Sequence, residues 1–367
     1  PQTVQVIKKE LLQEQGAKTL MEALQNTPGI TMQMGENSNT AEGDEFRMRG
    51  FDTYTSIFVD GVRDLGGISR GVYNLEQIEV IKGPSGSDVG RGSQSGYINL
   101  ISTLPSKESE QSASLAWGSE GQKRTSVDLG RMMGEGVGIR LNAMIDDSNV
   151  PGRDRVKNKS VSIAPSIGFG LNTNSKLYLY SQHVRQDNIP DGGIPALGVS
   201  GNTMAKVRSR NYYGAPNDYE EVSADMLTAK YEKTLASGAL LTNILRYGST
   251  QLDRKLTGIT SADTGDSTKY SVSPQGVDQQ NDILVNQLTI RQPFNLLGLA
   301  HNTVYGAEIL KESQRTDSFC SSTSSTSSCL TGQTTVSISG NSTYAPNLGA
   351  YNLPKTGAYT KGQTTTV

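Results

Sequence analysis

The chain has 367 residues and a formal net charge of −2, so its charge gives no reason to expect a nucleic-acid partner. Hydrophobic residues make up only 34% of it, which is too few for a helical protein of this size but normal for strands with one apolar face. No run of 18 or more apolar residues occurs, which excludes a transmembrane helix. A transmembrane β-barrel is not excluded, because its apolar residues occupy every second position.

The first 105 residues combine helical and strand-like patterns. Alternation predicts a strand over residues 3–7, and the spacing of Leu20, Ala23 and Leu24 predicts a helix over residues 18–26. Further short strands are predicted at residues 45–51, 56–59, 78–81 and 97–102. Together these elements predict a small mixed α/β domain.

Residues 82–100, KGPSGSDVGRGSQSGYINL, contain five glycines and raise the question of a phosphate-binding loop. A P-loop needs Lys and then Ser or Thr after its second glycine, whereas Gly86 and Gly92 are each followed by Ser. A dinucleotide fingerprint needs a helix after the loop, but residues 97–101 predict a second strand. We interpret the stretch as a crowded turn in which glycine allows positive φ and close approach of the backbone.

From about residue 109 the pattern changes to strands with period two. Residues 137–145 place Val, Ile, Leu and Ala at odd positions, and Gly, Arg, Asn and Met at even positions. Short turns are predicted at residues 134–136, 172–175, 236–238 and 295–298, and longer links at 150–158, 187–220, 254–276 and from about 313. Apart from a tight link near residues 118–121, short and long connections alternate, as in outer-membrane barrels but not in soluble sandwiches.

The predicted fold is therefore mainly β, a transmembrane antiparallel β-barrel. About nine strands are counted, whereas closed bacterial barrels have even strand numbers and large plugged barrels have about 22. We interpret the chain as the N-terminal part of such a barrel.

The two cysteines, Cys320 and Cys329, enclose eight polar residues. This spacing does not fit a CxxC metal site. We interpret the pair as a disulfide that closes an extracellular loop in an oxidising compartment. Two unpaired thiols are the alternative.

Five motifs in the first region resemble, in order, the plug domain of TonB-dependent outer-membrane receptors. They are TPGI at residues 27–30, FRMRGF at 46–51, VDGVR at 59–63, IEVIKGP at 78–84 and GYINLIS at 96–102. Residues 82–93 most resemble the catecholate siderophore receptors of the Fiu and PiuA type. The chain departs from the family at Lys82, where Arg is usual, and at Ser95, where Gly is usual.

The resemblance implies a 22-stranded barrel in the outer membrane of a Gram-negative bacterium. Residues 1–105 would form the plug domain in its lumen, and residues 106–367 the N-terminal portion of the barrel, with long extracellular loops. The implied partners are a ferric siderophore, TonB with ExbB and ExbD in the inner membrane, and outer-membrane lipid and lipopolysaccharide. Iron would arrive as the siderophore complex, so no intrinsic cofactor is expected.

The resemblance also implies residues that hold the plug in the barrel. In this family, basic residues at the positions of Arg49 and Lys82 pair with carboxylates of the wall. Glu308 is a candidate carboxylate partner on the lumen side, and pairing of Glu308 with a neighbouring strand is the alternative. Lys82 would make a point-charge contact without the bidentate geometry of Arg.

A ferric tris-catecholate is aromatic and anionic, so Arg and Tyr residues in outward loops are the ligand-binding candidates. They are Tyr54, Arg63, Arg70 and Tyr73 in the plug, and Arg185, Arg208, Arg210, Tyr212 and Tyr213 in the barrel.

Enzymatic activity is not predicted, because His183 and His301 are the only histidines and neither HExxH nor GxSxG occurs. No metal-spaced set of Cys and His occurs either. The predicted function is TonB-dependent binding and import of a ferric siderophore of the catecholate class. Two alternatives stay open: uptake of another scarce ligand, such as a corrinoid or oligosaccharide, and a surface signalling or adhesion receptor that retains the plug.

Overall fold

The structure is a computed structural model. It describes residues 3–32, 43–52, 56–64, 68–84, 95–194, 196–197, 203–204, 208–262, 269–320, 335–337 and 352–366. Within these ranges most residues lie in strands, which confirms the predicted mainly β class.

The N-terminal part of the chain, here called the plug, contains both helices. Its elements are β1 (Thr3–Lys8), α1 (Lys9–Glu14), α2 (Leu20–Leu24), β2 (Ile30–Met32), β3 (Phe46–Met48), β4 (Phe51–Asp52), β5 (Ile57–Val59), β6 (Val62–Arg63), β7 (Leu75–Lys82) and β8 (Gly96–Ser102). A five-stranded sheet has the order β1-β7-β8-β5-β6, and β2-β3-β4 form a second, small sheet. No helix among the described residues is long and apolar enough to cross a membrane.

Helix α2 begins at a capping box. The Thr19 side chain accepts a hydrogen bond from the Glu22 amide at 3.2 Å, and the Glu22 carboxylate accepts one from the Lys18 amide at 2.7 Å. The helix then buries Leu20 and Leu24 completely. This confirms the predicted helix, although it is shorter than residues 18–26, whereas α1 was not predicted.

The plug has its own apolar core between the helices and the five-stranded sheet. Strands β7 and β8 supply its centre, where Ile78, Val80 and Ile98 are fully buried. Phe46 and Met48 of β3 close the core from the side. All buried residues of this core belong to the plug, and Met226 of the larger sheet packs against them.

The remaining strands form a large antiparallel sheet, here called the wall. Its elements are β9 (Gln111–Trp117), β10 (Lys123–Gly134), β11 (Val137–Asn149), β12 (Lys157–Phe169), β13 (Ser175–Asn188), β16 (Tyr219–Thr234), β17 (Leu240–Ala262), β18 (Lys269–Leu296), β19 (Leu299–Phe319), β20 (Thr335–Ser337) and β21 (Lys355–Thr366). Strands follow each other in chain order from β9 to β21, except that β20 pairs with β18. A separate hairpin of β14 (Ala196–Leu197) and β15 (Thr203–Met204) lies in the link between β13 and β16.

The connections are sorted by length as predicted, with short turns at one edge and longer links at the other. Two boundary predictions are wrong. Residues 254–276 are not a link, because β17 continues to Ala262 and β18 begins at Lys269. The link predicted from about residue 313 begins later, because β19 continues to Phe319. A transmembrane strand needs only about 9–11 residues. Strands of 23 and 28 residues therefore project beyond the membrane as a paired ribbon.

The two faces of the wall differ as the alternation predicts. On β11, Ile139 and Ile145 are 39% and 57% exposed on the outer face. Arg140, Asn142 and Met144 alternate with them and are buried on the inner face. The plug packs against this inner face, so the polar side chains of the wall are available to hold it.

Candidate functional site

A buried ion pair joins the plug to the wall. Asp60 and Gly61 form the turn between β5 and β6 and both have positive φ, 53° and 82°, as in the tightest hairpin turns. The Asp60 carboxylate lies 3.2 Å from Nη2 of Arg246 on β17, and the two side chains are 5% and 2% exposed. Removing one partner of such a pair leaves a buried, uncompensated charge.

The other hydrogen bonds of the pair come from both the plug and the wall. Asp60 accepts from the amide and hydroxyl of Ser102 at 2.8 Å each, and from the Tyr180 hydroxyl of β13 at 2.9 Å. Arg246 donates through Nη1 to the carbonyl oxygen of Val59 at 2.7 Å. Both charges are therefore satisfied by groups from the plug and from two wall strands.

The turn that carries Asp60 is held from both sides. The Gly61 amide donates to Oδ1 of Asn99 on β8 at 2.9 Å, and Asn99 in turn donates to Glu79 at 2.9 Å. On the wall side, Gln287 of β18 lies 3.4 Å from the Gly61 carbonyl oxygen. The turn that carries Asp60 is thus held by contacts other than that with Arg246.

A second polar contact lies near the start of the plug. Nζ of Lys9 lies 2.6 Å from Asp128 of β10, which also accepts from Nε of Arg140 at 2.7 Å. Arg140 further donates to the carbonyl oxygen of Leu104 at 3.3 Å. This cluster ties the first helix and the segment after β8 to the same two wall strands.

Apolar contacts shield these polar ones from water. Ile68 and Val62 of the plug each pack into an apolar patch of the wall. The patch around Ile68 consists of Val184, Val222, Ala224 and Leu252, and that around Val62 of Ile244, Val285 and Leu310.

The outward part of the plug contains a buried triad. Arg70 donates through Nε and Nη2 to one oxygen of Asp64 at 2.9 and 2.8 Å. Its amide and Nη1 donate to Asp44 at 2.9 and 3.3 Å. Burial raises the pKa of Asp44 to about 6, although its contacts with Arg70 pull the pKa down.

A segment between β13 and β16 folds inward at the mouth of the wall around Asp218. This carboxylate accepts from the amides of Ala215 and Thr257 at 3.0 and 2.9 Å, and from the Thr257 hydroxyl at 2.9 Å. The hydroxyl of the fully buried Tyr212 lies 3.4 Å from it. Burial raises the pKa of Asp218, while the hydrogen bonds from Thr257 and Ala215 oppose the rise.

Arginine–carboxylate pairs link three neighbouring loops above this segment. Arg210 lies 2.6 Å from Glu120, in the β9–β10 turn, and 3.2 Å from Asp154, in the β11–β12 loop. Arg153 of the same loop lies 2.6 Å from Asp191. The hydrogen bond from Arg210 lowers the pKa of Glu120. These ion pairs, here called the loop brace, therefore hold the three loops together.

The predicted ligand residues of the plug lie in three different environments. Tyr54 falls outside the described residues. Arg63 lies 3.8 Å from Glu312 and lines a cavity between plug and wall. Arg70 is buried in its triad, and burial raises the pKa of Tyr73 to about 12 against the effect of Gln182 and Ser162.

The predicted ligand residues of the barrel are also separated. Arg208 is exposed, Arg210 belongs to the loop brace, and Tyr212 and Tyr213 are 0% and 3% exposed. Arg185 needs a correction, because it faces away from the lumen. Its neighbour Val184 packs on the plug, so strand alternation turns Arg185 to the outer face, where it pairs with Asp225 at 2.8 Å.

The three residues of the predicted latch lie in different surroundings. Arg49 is exposed in the turn after β3, and Nζ of Lys82 lies 3.3 Å from Gln5 of the plug itself. Burial, and after it the charge of Arg49, lowers the pKa of Lys82. Glu308 accepts from Gln287 on the neighbouring strand at 3.2 Å, in line with the alternative left open for it. A latch role for these three residues stays a prediction.

The pairing of Cys320 with Cys329 also stays a prediction, because Cys329 lies outside the described residues.

Sequence reasoning missed Asp60 and Arg246, although both carried a signal. Asp60 precedes a glycine within the VDGVR motif, and Arg246 lies between the apolar pair Ile244-Leu245 and Tyr247 in a predicted strand. An ionisable residue in such a strand marks an inward-facing position with a partner. The partner itself was not predictable, since 186 residues separate the two in the sequence.

The plug has its own core and is held by polar contacts against the inner face of an antiparallel wall, whose outer face is compatible with lipid. This arrangement defines a plugged outer-membrane receptor. Comparisons with known proteins agree with this class. Residues 1–97 match the family of the TonB-dependent Receptor Plug Domain, and the chain belongs to the TonB-dependent receptors.

Two relatives illustrate the similarity. The Catecholate siderophore receptor Fiu of Escherichia coli K12 is 37% identical over 332 residues, covering 85% of this chain and 44% of the relative. The Probable TonB-dependent siderophore receptor PiuA of Acinetobacter baumannii is 30% identical over 330 residues, covering 86% of this chain and 43% of the relative. The chain thus spans about half the length of the curated relatives it matches.

Solved structures show the same fold. The closed form of the Ferric-Catecholate import receptor Fiu from E. coli K12 superposes with a TM-score of 0.88 at 34% identity, over 99% of this chain and 52% of that one. The siderophore receptor PiuA from A. baumannii gives a TM-score of 0.87 at 27% identity, over 97% of this chain and 52% of that one. These relatives are receptors rather than enzymes and lie in the outer membrane.

Proposed function

We propose that the receptor containing this chain binds a ferric siderophore of the catecholate class at its extracellular mouth and imports it. The ligand class is supported by the chain's similarity to siderophore receptors, among them the Catecholate siderophore receptor Fiu. The domain boundaries belong to the same proposal: residues 1–105 act as the plug, and residues 106–367 as a portion of the barrel.

The observation that carries the transport proposal is the buried Asp60–Arg246 pair. A plug that only sealed a pore would be served best by apolar contacts, because replacing a buried ion pair by apolar groups is often neutral or stabilising. Hydrogen-bonded polar contacts can instead be exchanged for contacts with water once they are exposed. The interface is therefore suited to hold the plug at rest and to release it when the plug is pulled.

The pull itself requires a partner. We propose TonB, with ExbB and ExbD in the inner membrane, as the source of the force on the plug. Strand β1 is connected to the Asp60 turn through the five-stranded sheet. In this sheet β1 pairs with β7, β7 pairs with β8, and β8 pairs with β5, which leads into the turn. A force applied near β1 is thus transmitted by strand hydrogen bonds to the turn that carries Asp60.

For ligand contacts we propose two cations first, the exposed Arg208 and the half-buried Arg63. Arg208 projects from the mouth segment, and Arg63 lines the cavity beside the plug. Arg70 supports the outward plug surface through Asp44 and Asp64, and Arg210 holds the loop brace. These two act as positioning residues for the surface that meets the ligand.

The test is uptake of radiolabelled iron by a strain that lacks the endogenous receptors. The strain expresses the wild-type receptor or Asp60→Asn and is supplied with ferric catecholate, ferric hydroxamate or a labelled corrinoid. We expect uptake of the catecholate complex by the wild type and its dependence on TonB. Accumulation of the corrinoid alone, or binding without any uptake, would contradict the proposal.

A further inference from the structure

The hairpin between β18 and β19 exposes an apolar tip. Leu296, Leu297 and Leu299 are 54%, 93% and 65% exposed, and only Leu297 and Gly298 separate the two strands. The tip lies at the edge of the wall that carries the short turns, which is the periplasmic edge of an outer-membrane barrel.

The backbone at this tip is conformationally unfavourable for leucine. Leu297 has φ 52° and Gly298 has φ 76°. A two-residue turn with two positive φ values strongly prefers Asn or Asp at its first position. Burial within the wall does not compensate for leucine here, since the side chain is almost fully exposed.

The tip continues the outer face of the wall, which is mainly apolar; Asn286 and Gln292 are the polar residues among the outward positions of β18 between Leu284 and Leu296. Leu284, Phe294 and Leu296 alternate outward along β18 and are 50%, 41% and 54% exposed. On β19 the outward residues Tyr305 and Ile309 are 61% and 58% exposed.

The vertical position of the tip follows from strand geometry. A strand rises about 3.3 Å per residue and tilts about 40° in a barrel, so the apolar band of about 25 Å corresponds to about ten residues. Counted from Leu284, the band ends near Phe294, which stacks on His301 with ring centroids 5.1 Å apart. The leucine tip therefore lies just below the band, at the depth of the headgroups.

The other short turns do not share this feature. The β10–β11 turn carries the exposed Glu135, and in the β12–β13 turn Leu171 is 2% exposed. Leu235, beside the β16–β17 turn, is 38% exposed. Met133, next to the β10–β11 turn, is 61% exposed, so single apolar residues occur elsewhere at this edge; a cluster of three exposed leucines is found, among the described short turns, at the β18–β19 hairpin.

We propose that the β18–β19 hairpin is a lipid anchor, with Leu296, Leu297 and Leu299 inserted among phospholipids of the inner leaflet of the outer membrane. The continuity of the tip with the lipid-facing side of the wall identifies lipid, rather than a periplasmic protein, as its partner. The anchor fixes the depth of β18 and β19, whose inner faces contact the plug through Gln287 and Leu310.

Fluorescence quenching in phospholipid vesicles tests the proposal. Trp117 is the only tryptophan among these 367 residues, so in the whole receptor Leu297→Trp is placed in a background in which every native tryptophan, Trp117 included, is replaced by Phe, with Glu135→Trp as the matched control in another turn. We expect brominated phospholipid to quench Leu297→Trp at least twice as strongly as Glu135→Trp, and aqueous acrylamide to show the reverse order. Equal quenching of both variants, or stronger acrylamide quenching of Leu297→Trp, would overturn the proposal and leave a protein partner as the explanation.

A second variant separates lipid contact from backbone strain. Leu297→Asn removes the apolar side chain but tolerates positive φ. Its unfolding temperature should equal or exceed that of the wild type in detergent and fall below it in phospholipid vesicles. A change of the same sign in both media would show that lipid plays no part.

Discussion

The carboxylate of Asp60 in the plug lies 3.2 Å from the guanidinium of Arg246 in the wall, and both are almost completely buried. The pair is more deeply buried than the Lys9–Asp128 and Arg63–Glu312 pairs, which also join plug and wall. Its position at the β5–β6 turn means that movement of the plug sheet breaks it directly.

Arg246→Met is expected to loosen the plug. The substitution leaves Asp60 buried with no cation, and breaking a buried pair in this way costs about 3–5 kcal/mol. Hydrogen exchange should therefore speed up at the amides of residues 56–63 in the assembled receptor. Arg185→Met is the matched control, because that arginine lies on the outer face, and it should leave these amides unchanged.

The same measurement on Asp60→Asn and on the double variant gives the coupling between the two side chains. We expect the double variant to be less destabilised than the sum of the single variants, since each single change leaves one buried charge unpaired. Strict additivity would show that the two residues act independently.

The Asp44–Arg70–Asp64 triad predicts a pH dependence of the outward plug. The folded pKa of Asp44, about 6, lies above the unfolded value of about 3.9. Between these values the folded form retains a proton that the unfolded form has lost, so the contribution of Asp44 to stability falls as pH rises from about 4 to 6. The total change is on the order of 3 kcal/mol.

The check is the opening free energy of the Arg70 amide, which donates to Asp44 at 2.9 Å, measured by hydrogen exchange and corrected for the intrinsic rate. Asp44→Asn should make this free energy nearly independent of pH over the same window. A pH slope that persists in Asp44→Asn would assign the effect to Asp64 or to another group.

The fold was largely predictable because local patterns determine it. Residues 137–145 alternate in sequence, and in the structure their odd positions face outward and their even positions inward. The capping residues Thr19 and Glu22 and the spacing of Leu20 and Leu24 likewise contain the information for α2. The extension of β17 and β18 beyond the membrane was not predicted. Outside the lipid a strand does not need an apolar face, so its sequence shows no alternation of apolar and polar residues.

The site was less predictable because it depends on contacts between distant residues. Their charge alone predicts that Arg70 and Arg210 bind ligand. In the structure each of them is paired with carboxylates at other positions of the sequence. The prediction for Arg185 was wrong for a simpler reason. Side chains alternate between the two faces along a strand, and this alternation was not used to decide which face Arg185 occupies. Pairing of Asp60 with Arg246 requires the plug to be positioned inside the wall, which no local pattern specifies.

Asp218→Asn is expected to release the mouth segment around residues 208–218. The carboxylate accepts three hydrogen bonds within 3.0 Å from Ala215 and Thr257, and an amide cannot accept at its nitrogen. Leaving buried donors unsatisfied costs about 1–3 kcal/mol each. Limited proteolysis should therefore cleave this segment faster. Asp187→Asn, on the exposed outer face, should leave the cleavage rate unchanged.

Arg208 and Arg210 should affect ligand binding in different ways. Arg208 is exposed and is free of side-chain ion pairs within the ranges described, so an anionic ligand can reach it without breaking a contact. Loss of one charge-assisted hydrogen bond costs about 1.5 kcal/mol, or about tenfold in Kd. We therefore expect Arg208→Ala to weaken binding of a ferric catecholate about tenfold, with an effect that shrinks at high salt.

Arg210→Ala removes the contacts with Glu120 and Asp154 and should act on the loops first. Its signature is faster proteolysis of the β11–β12 loop together with weaker binding, whereas Arg208→Ala should change binding alone. Arg185→Ala is the control for both, because a side chain on the outer face cannot meet a ligand in the lumen. The check is equilibrium titration of the three variants with the same ferric complex. If Arg185→Ala weakens binding as much as Arg208→Ala does, recognition does not depend on whether the charge lies inside or outside the wall.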